Sequence, residues 1–184
     1  MPEKNIFFNS AAKAGLALGG VSVAGMLIPW LLGKIGGDSR AALMAISAVN
    51  TLLWAFKLFI CIYLMRFFMR RFSARVPEAD NSRVFRFGAL TALLSALVFS
   101  AFYMAYLMFI DPESINMALD IIRENPMMDS ASIAAVEEMA PTLPSYAFFS
   151  NLIYCTIYGT VLSAILSRNI PPRNPFAGGD FKRQ

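Results

Sequence analysis

The sequence predicts an all-α integral membrane protein with four transmembrane helices and an external helical hairpin between the third and the fourth. Three observations carry that expectation. The 184 residues are 57% hydrophobic and only 15% charged, whereas a soluble domain runs at about 45–50% and about 25%. The apolar residues form long unbroken blocks instead of interrupted stripes, and about 18 or more of them suffice to cross a bilayer as a helix. The Lys and Arg residues are also divided very unequally among the segments that join the blocks.

Four blocks span residues 14–33, 41–65, 87–110 and 145–167, together 92 of the 184 residues. The first follows Lys4 and Lys13 as a signal peptide would, but its 20 residues exceed a signal core of about 7–15 and no A-x-A-like site closes it. It therefore reads as a retained helix, with Pro29 expected to kink its outer end. All four blocks must be helical, because a backbone amide in hydrocarbon needs a partner within its own segment. The period-2 alternation of a membrane β-barrel is absent.

Outside the spans, twelve Lys and Arg residues fall at the N-terminus, between Arg66 and Arg86, and after Ser167, against three (Lys34, Arg40, Arg123) in the other two connections. The positive-inside rule then places both termini and the loop around Ala79 in the cytoplasm. The long outer loop, residues 111–144, carries seven acids and one Arg. Within it, Asp111-Pro112-Glu113 reads as a helix start with Asp111 as N-cap. Ile115, Ala118, Leu119 and Ile122 share one face, and a second short helix is expected from Ser130 to Met139, with Ile133 and Val136 inward. The acids lack calcium-loop spacing, so a solvated face is favoured over a cation site. Residues 1–176 form one domain, and 177–184, at the end of a Pro- and Gly-rich stretch, form a disordered tail.

Two further stretches carry a resemblance. Arg86-Phe87-Gly88-Ala89 leads to Phe109-Ile110-Asp111-Pro112, and Ser150-Asn151-Leu152-Ile153 leads to Ser167-Arg168-Asn169-Ile170-Pro171-Pro172-Arg173-Asn174-Pro175-Phe176. They resemble the bacterial four-span membrane family known as domain of unknown function 4199, over roughly residues 9–176. The family supplies no established activity and no site residues to carry over. Its members often lie beside a gene for a polyprenyl-phosphate sugar transferase, so the resemblance implies a polyprenyl-phosphate glycosyltransferase as a candidate partner.

Lys57 is the only formal charge inside a span. A Lys at a helix centre costs about 2.5–3.5 kcal/mol on insertion scales, which makes it a functional candidate by default. Asn50, Trp54 and Cys61 share its helix face, and Ser22, Ser95, Tyr158 and Thr160 lie at similar depth. Lys57, Asn50 and Tyr158 are therefore the candidate site for an anionic ligand. The alternative is a Lys that snorkels to the surface or caps backbone carbonyls. No Asp or Glu occurs in any span, which excludes an intramembrane ion pair or carboxylate relay. The absence of His removes the usual general base and metal ligand, so no catalytic residue, metal or cofactor is assigned and no enzyme is expected. The two Cys residues lie inside apolar blocks and suggest no disulfide framework.

Arg66, Arg70, Arg71 and Arg75, interleaved with Phe67, Phe68 and Phe72, read as a juxtamembrane amphipathic turn. Its rings would sit at headgroup depth and its guanidiniums near anionic lipid or a protein partner, unless the charges only set topology. Gly15 and Gly19 form a G-x-x-x-G pair for close helix packing, either within the bundle or between copies in a homo-oligomer. The function expected from these features is a non-enzymatic accessory or scaffold for a membrane partner. The alternative is a small carrier or flippase subunit for an anionic lipid-linked substrate that uses Lys57. Nothing in the sequence points to nucleic acid.

Overall fold

The computed structural model describes residues 2–35, 40–76, 80–125 and 127–170. Among them are six α-helices and no strand: α1 (Pro2–Ile35), α2 (Arg40–Arg75), α3 (Asn81–Ala105), α4 (Glu113–Arg123), α5 (Ser130–Met139) and α6 (Leu143–Arg168). Four helices, α1, α2, α3 and α6, are long and apolar enough to cross a membrane, and the chain is an all-α multi-pass membrane protein. The helices run beyond the apolar blocks. α1 continues through Pro29, and α2 carries its basic residues on the same helix as far as Arg75. Ala79 and residues 177–184 lie outside the described residues.

α3 sits between α1 and α6 and packs extensively on both, whereas α2 packs mainly on α1 and barely reaches α3 and α6. Residue size explains the difference. A Cβ on Gly15 would sit 2.7 Å from Leu94 Cβ, and one on Gly19 would sit 2.8 Å from Val98 Cβ, so α1 meets α3 almost backbone to backbone. On the other side of α3, a Cβ on Gly159 would lie 2.5 Å from Ala92 Cβ, and one on Gly88 would collide with Ser163 Oγ. That hydroxyl is fully buried and donates across the helix pair to the Phe85 carbonyl at 3.0 Å.

The tightest packing lies at the end of the bundle that holds the basic residues. Ala11 and Ala14 of α1, Met65, Met69 and Phe72 of α2, Val84 and Phe87 of α3, and Leu166 and Ile170 around the end of α6 form its core. Phe72 and Phe87 stack with centroids 4.3 Å apart, and Phe7 meets both edge-on. Phe72, whose spacing in the basic run reads as that of an exposed interfacial ring, is 4% exposed and belongs to this core. Phe87 faces it from α3, and a flat partner ring outbids the interface. Toward lipid, Leu52, Phe56, Phe59 and Tyr63 of α2 are all more than 60% exposed, a surface that hydrocarbon solvates and water would not.

At its far end α3 widens into one π-helical turn, Tyr106–Ile110, closed by Asp111 N–H donating to the Tyr106 carbonyl at 2.9 Å. The Tyr106 hydroxyl donates to Asp111 Oδ2 at 2.8 Å. This corrects the expected role of Asp111. Pro112, not Asp111, stands at the N-cap of α4, and no side chain caps it. The part-buried phenol engages the carboxylate more strongly than an exposed amide would. α5 does have a side-chain cap: Asp129 accepts from Ser132 N–H at 3.0 Å, and hydrogen bonding from Ser132 holds its carboxyl below the usual carboxylate range. Arg123 of α4 donates to Glu137 of α5 at 2.7 Å and to Asp120 at 2.8 Å, an exposed pairing that water and salt screen.

The glycine seam yields a test. Leu at Gly15 and Gly19 should force α1 from α3, at a cost of about 1–3 kcal/mol per site, and should lower the thermal aggregation midpoint in detergent. Leu at Gly20, where no atom lies within 4 Å of an added Cβ, should leave the midpoint unchanged. Equal loss at all three positions would refute the seam.

Candidate functional site

Because α2 stands away from α3 and α6, the middle of the bundle holds a cavity of ≈ 370 Å³. α1 contributes Leu18 and Ser22, α2 contributes Trp54, Lys57, Leu58, Cys61 and Met65, and α3 contributes Ala92, Ser95, Ala96 and Phe99. Tyr154, Cys155, Tyr158, Gly159 and Leu162 of α6 complete the lining. Leu18, Met65, Ala92 and Ala96 are buried and form the inner wall. Trp54, Tyr154 and Tyr158 are 61%, 70% and 45% exposed, so the mouth opens sideways between α2 and α6, toward lipid.

Lys57 is half-buried near the middle of the apolar part of α2, nine residues before Arg66, or about 13 Å of rise. Its stem does not run along the helix to a surface. It crosses to α1 at Gly25, where an added Cβ would lie 2.5 Å from Lys57 Cδ and 3.0 Å from Cγ. The ammonium rests over the Phe99 ring, 5.7 Å from its centroid. A cation–π contact out of water returns about 2 kcal/mol, which offsets much but not all of the insertion cost. Among the described residues the cavity lining contains no acid, and the only ion pairs are those of Arg123. Lys57 is thus a cation held in an apolar cavity, beside the hydroxyl-bearing residues Ser22, Ser95 and Tyr158 and without a counterion.

The other predicted residues separate. Tyr158 lines the cavity with Lys57, but Asn50 lies two turns away in a shallow depression on α2 with Ser47 and Thr51. Thr160 does not line the cavity either. Arg71 and Arg75 face a smaller pocket at the basic end, which Arg66 and Arg70 do not line. Gly15 and Gly19 pack against α3. Sequence reasoning missed Gly25, Phe99, Tyr154 and Cys155. They come from three other helices, and no spacing along α2 relates them to Lys57. Among the described residues, no three His, Cys, Asp or Glu side chains gather to hold a metal ion.

Four membrane-length helices around a lateral cavity that holds one cation define a class: a polytopic helical membrane protein. The chain belongs to the family described as protein of unknown function (DUF4199), which it matches over residues 13–168. No curated protein and no solved structure matches it.

Both cysteines line the cavity, so a membrane-permeant maleimide reports on its access. Gly25→Val should displace the Lys57 stem into the cavity and slow labelling of Cys61. Gly20→Val, placed in open space, should not. Unchanged labelling in Gly25→Val would show that the stem does not depend on the gap at Gly25.

Proposed function

We propose that this protein is a non-enzymatic inner-membrane carrier or flippase subunit that holds an anionic lipid-linked substrate in the cavity at Lys57. The observation that carries the reading is the Lys57 ammonium over Phe99, in a cavity that opens toward lipid and has no acid in its lining. A ligand enters sideways between Trp54 and the tyrosines of α6. Its anionic group meets Lys57, with Ser22, Ser95 and Tyr158 as hydroxyl partners, while its chain stays in the bilayer. Burial away from water strengthens the charge-assisted contact.

The test uses farnesyl phosphate, with farnesol as the neutral control, and reads protection of Cys61 and Cys155 from maleimide. Farnesyl phosphate should protect both cysteines and farnesol should not. Lys57→Met should weaken that protection about 10- to 100-fold, the range for losing a hydrogen bond to a charged group. The bundle should stay at least as stable, because an expensive charge has gone. Protection that is equal for the two lipids, or unchanged in Lys57→Met, would overturn the reading.

The scaffold reading has its own support in Arg66 and Arg70, which are exposed and outside both pockets. On that reading they dock a partner, and a polyprenyl-phosphate glycosyltransferase acting on the same ligand class is the partner proposed. For orientation we propose cytoplasmic termini, because the basic residues gather at one end of the bundle. A single cysteine at position 130 should react with an impermeant reagent in intact spheroplasts, and one at position 79 should not. The reverse pattern would invert the topology.

A further inference from the structure

A second pocket, of ≈ 190 Å³, lies at the basic end of the bundle between α1 and α2. Ser10 and Lys13, one turn apart on α1, face Arg71 and Arg75, one turn apart on α2, over a wall of Phe68, Phe72 and Phe87. Three exposed cations therefore converge from two helices onto one pocket. Among the described residues no acid lines it and no carboxylate pairs with any of the three. The helix turn beneath two of them is fixed. Phe72 and Phe87 are 4% and 1% exposed and stacked on each other, so the turn of α2 that carries Arg71 and Arg75 is anchored in the core. Like charges held together over an apolar wall repel one another, and an anion that binds all three relieves the repulsion.

The chemistry selects the anion. Two guanidinium forks present paired N–H donors that match two oxygens of a tetrahedral oxyanion, and the Lys13 ammonium and Ser10 hydroxyl offer donors to the others. The volume is below that of pockets for whole small molecules, about 300–1,000 Å³, and suits a phosphoryl group with the first atoms attached to it. Arg71 lies 14 residues from Lys57 along α2, about 21 Å of rise, with the Met65 and Met69 layer between them, so the two sites are separate. We propose that Ser10, Lys13, Arg71 and Arg75 form a phosphate-binding site at the basic end of the bundle, independent of the Lys57 cavity. The phosphate is that of a lipid headgroup or of a soluble phosphate ester.

The two sources separate in nanodiscs. With the full chain in phosphatidylcholine discs doped with phosphatidylglycerol, native mass spectrometry reads the preference for the anionic lipid. Arg71→Gln with Arg75→Gln should reduce it by clearly more than the about 30-fold that two cations supply through diffuse attraction to an anionic surface, at about 5-fold per cation. Arg66→Gln with Arg70→Gln removes the same charge from the same helix outside the pocket and should cost no more than that diffuse share. Arg71→Lys with Arg75→Lys should restore part of it, which separates lost charge from misfolding. Lys57→Met should leave it intact. In pure phosphatidylcholine discs, broadening of the inorganic phosphate ³¹P resonance that vanishes in the Arg71/Arg75 double variant would assign the same site to a soluble phosphate. Equal losses in the two Gln pairs would reduce the effect to diffuse charge and overturn the proposal. So would a loss in Lys57→Met as large as in Arg71→Gln/Arg75→Gln, which would place the lipid at Lys57. The absence of both a lipid preference and phosphate broadening in the wild type would overturn it as well.

Discussion

Two helix backbones approach each other closely only where side chains get out of the way, and α3 meets that condition on both of its sides. Gly15 and Gly19 let α1 in on one side, and Gly88, Ala92 and Gly159 let α6 in on the other. Van der Waals contact at backbone distance is the main attraction available between helices in lipid, since the tails around them are as apolar as the helices themselves. The three helices α1, α3 and α6 therefore form a tight unit. α2 brings no glycine to the bundle. Its positions that line the cavity are Trp54, Lys57, Leu58, Cys61 and Met65, and their bulk holds α2 off α3 and α6. The cavity is the space that results. It is closed at the basic end, where Met69 and Phe72 do reach the core.

The charges then follow two different rules. At the basic end Lys13, Arg66, Arg70, Arg71 and Arg75 are exposed, so they keep their contact with the surroundings and no burial cost attaches to them. Inside the bundle the one charge is Lys57, and its surroundings are built around the stem as much as the ammonium. Gly25 vacates the path, and Phe99 receives the head. Stacked contacts continue from Phe99 to Tyr103 and Tyr106, with Trp30 edge-on to Tyr106 and Lys34 over Trp30. This aromatic series joins the cavity to the far end of the bundle. Tyr106 ends it by holding Asp111 at the junction between the π turn and α4.

Parts of the loop show how local signals lose to tertiary ones. Asp111 before Pro112 has the residue types of a helix cap, and a cap would have formed had the carboxylate been free. The π turn places the Tyr106 hydroxyl beside it, and a single extra residue in one turn is not visible in a hydropathy pattern. Asp129 had no such competitor, and it caps α5. Phe72 behaves in the same way: its spacing within the basic run is interfacial, but Phe87, fifteen residues later in the chain, draws it into the core.

By itself the sequence determined the number of membrane helices, their all-α character and the special status of Lys57, because hydrocarbon forces every backbone amide into a helix and taxes every charge regardless of context. It also determined which end of the bundle is basic. It did not decide that Lys57 and Tyr158 share a cavity while Asn50 does not, or that Arg71 and Arg75 join Lys13 while Arg66 and Arg70 face away. Those groupings depend on the rotation and separation of α2 relative to α1, α3 and α6. Helix rotation is set by which small residues meet across an interface, and that information is distributed over four helices far apart in the chain, so only the tertiary structure could bring it together.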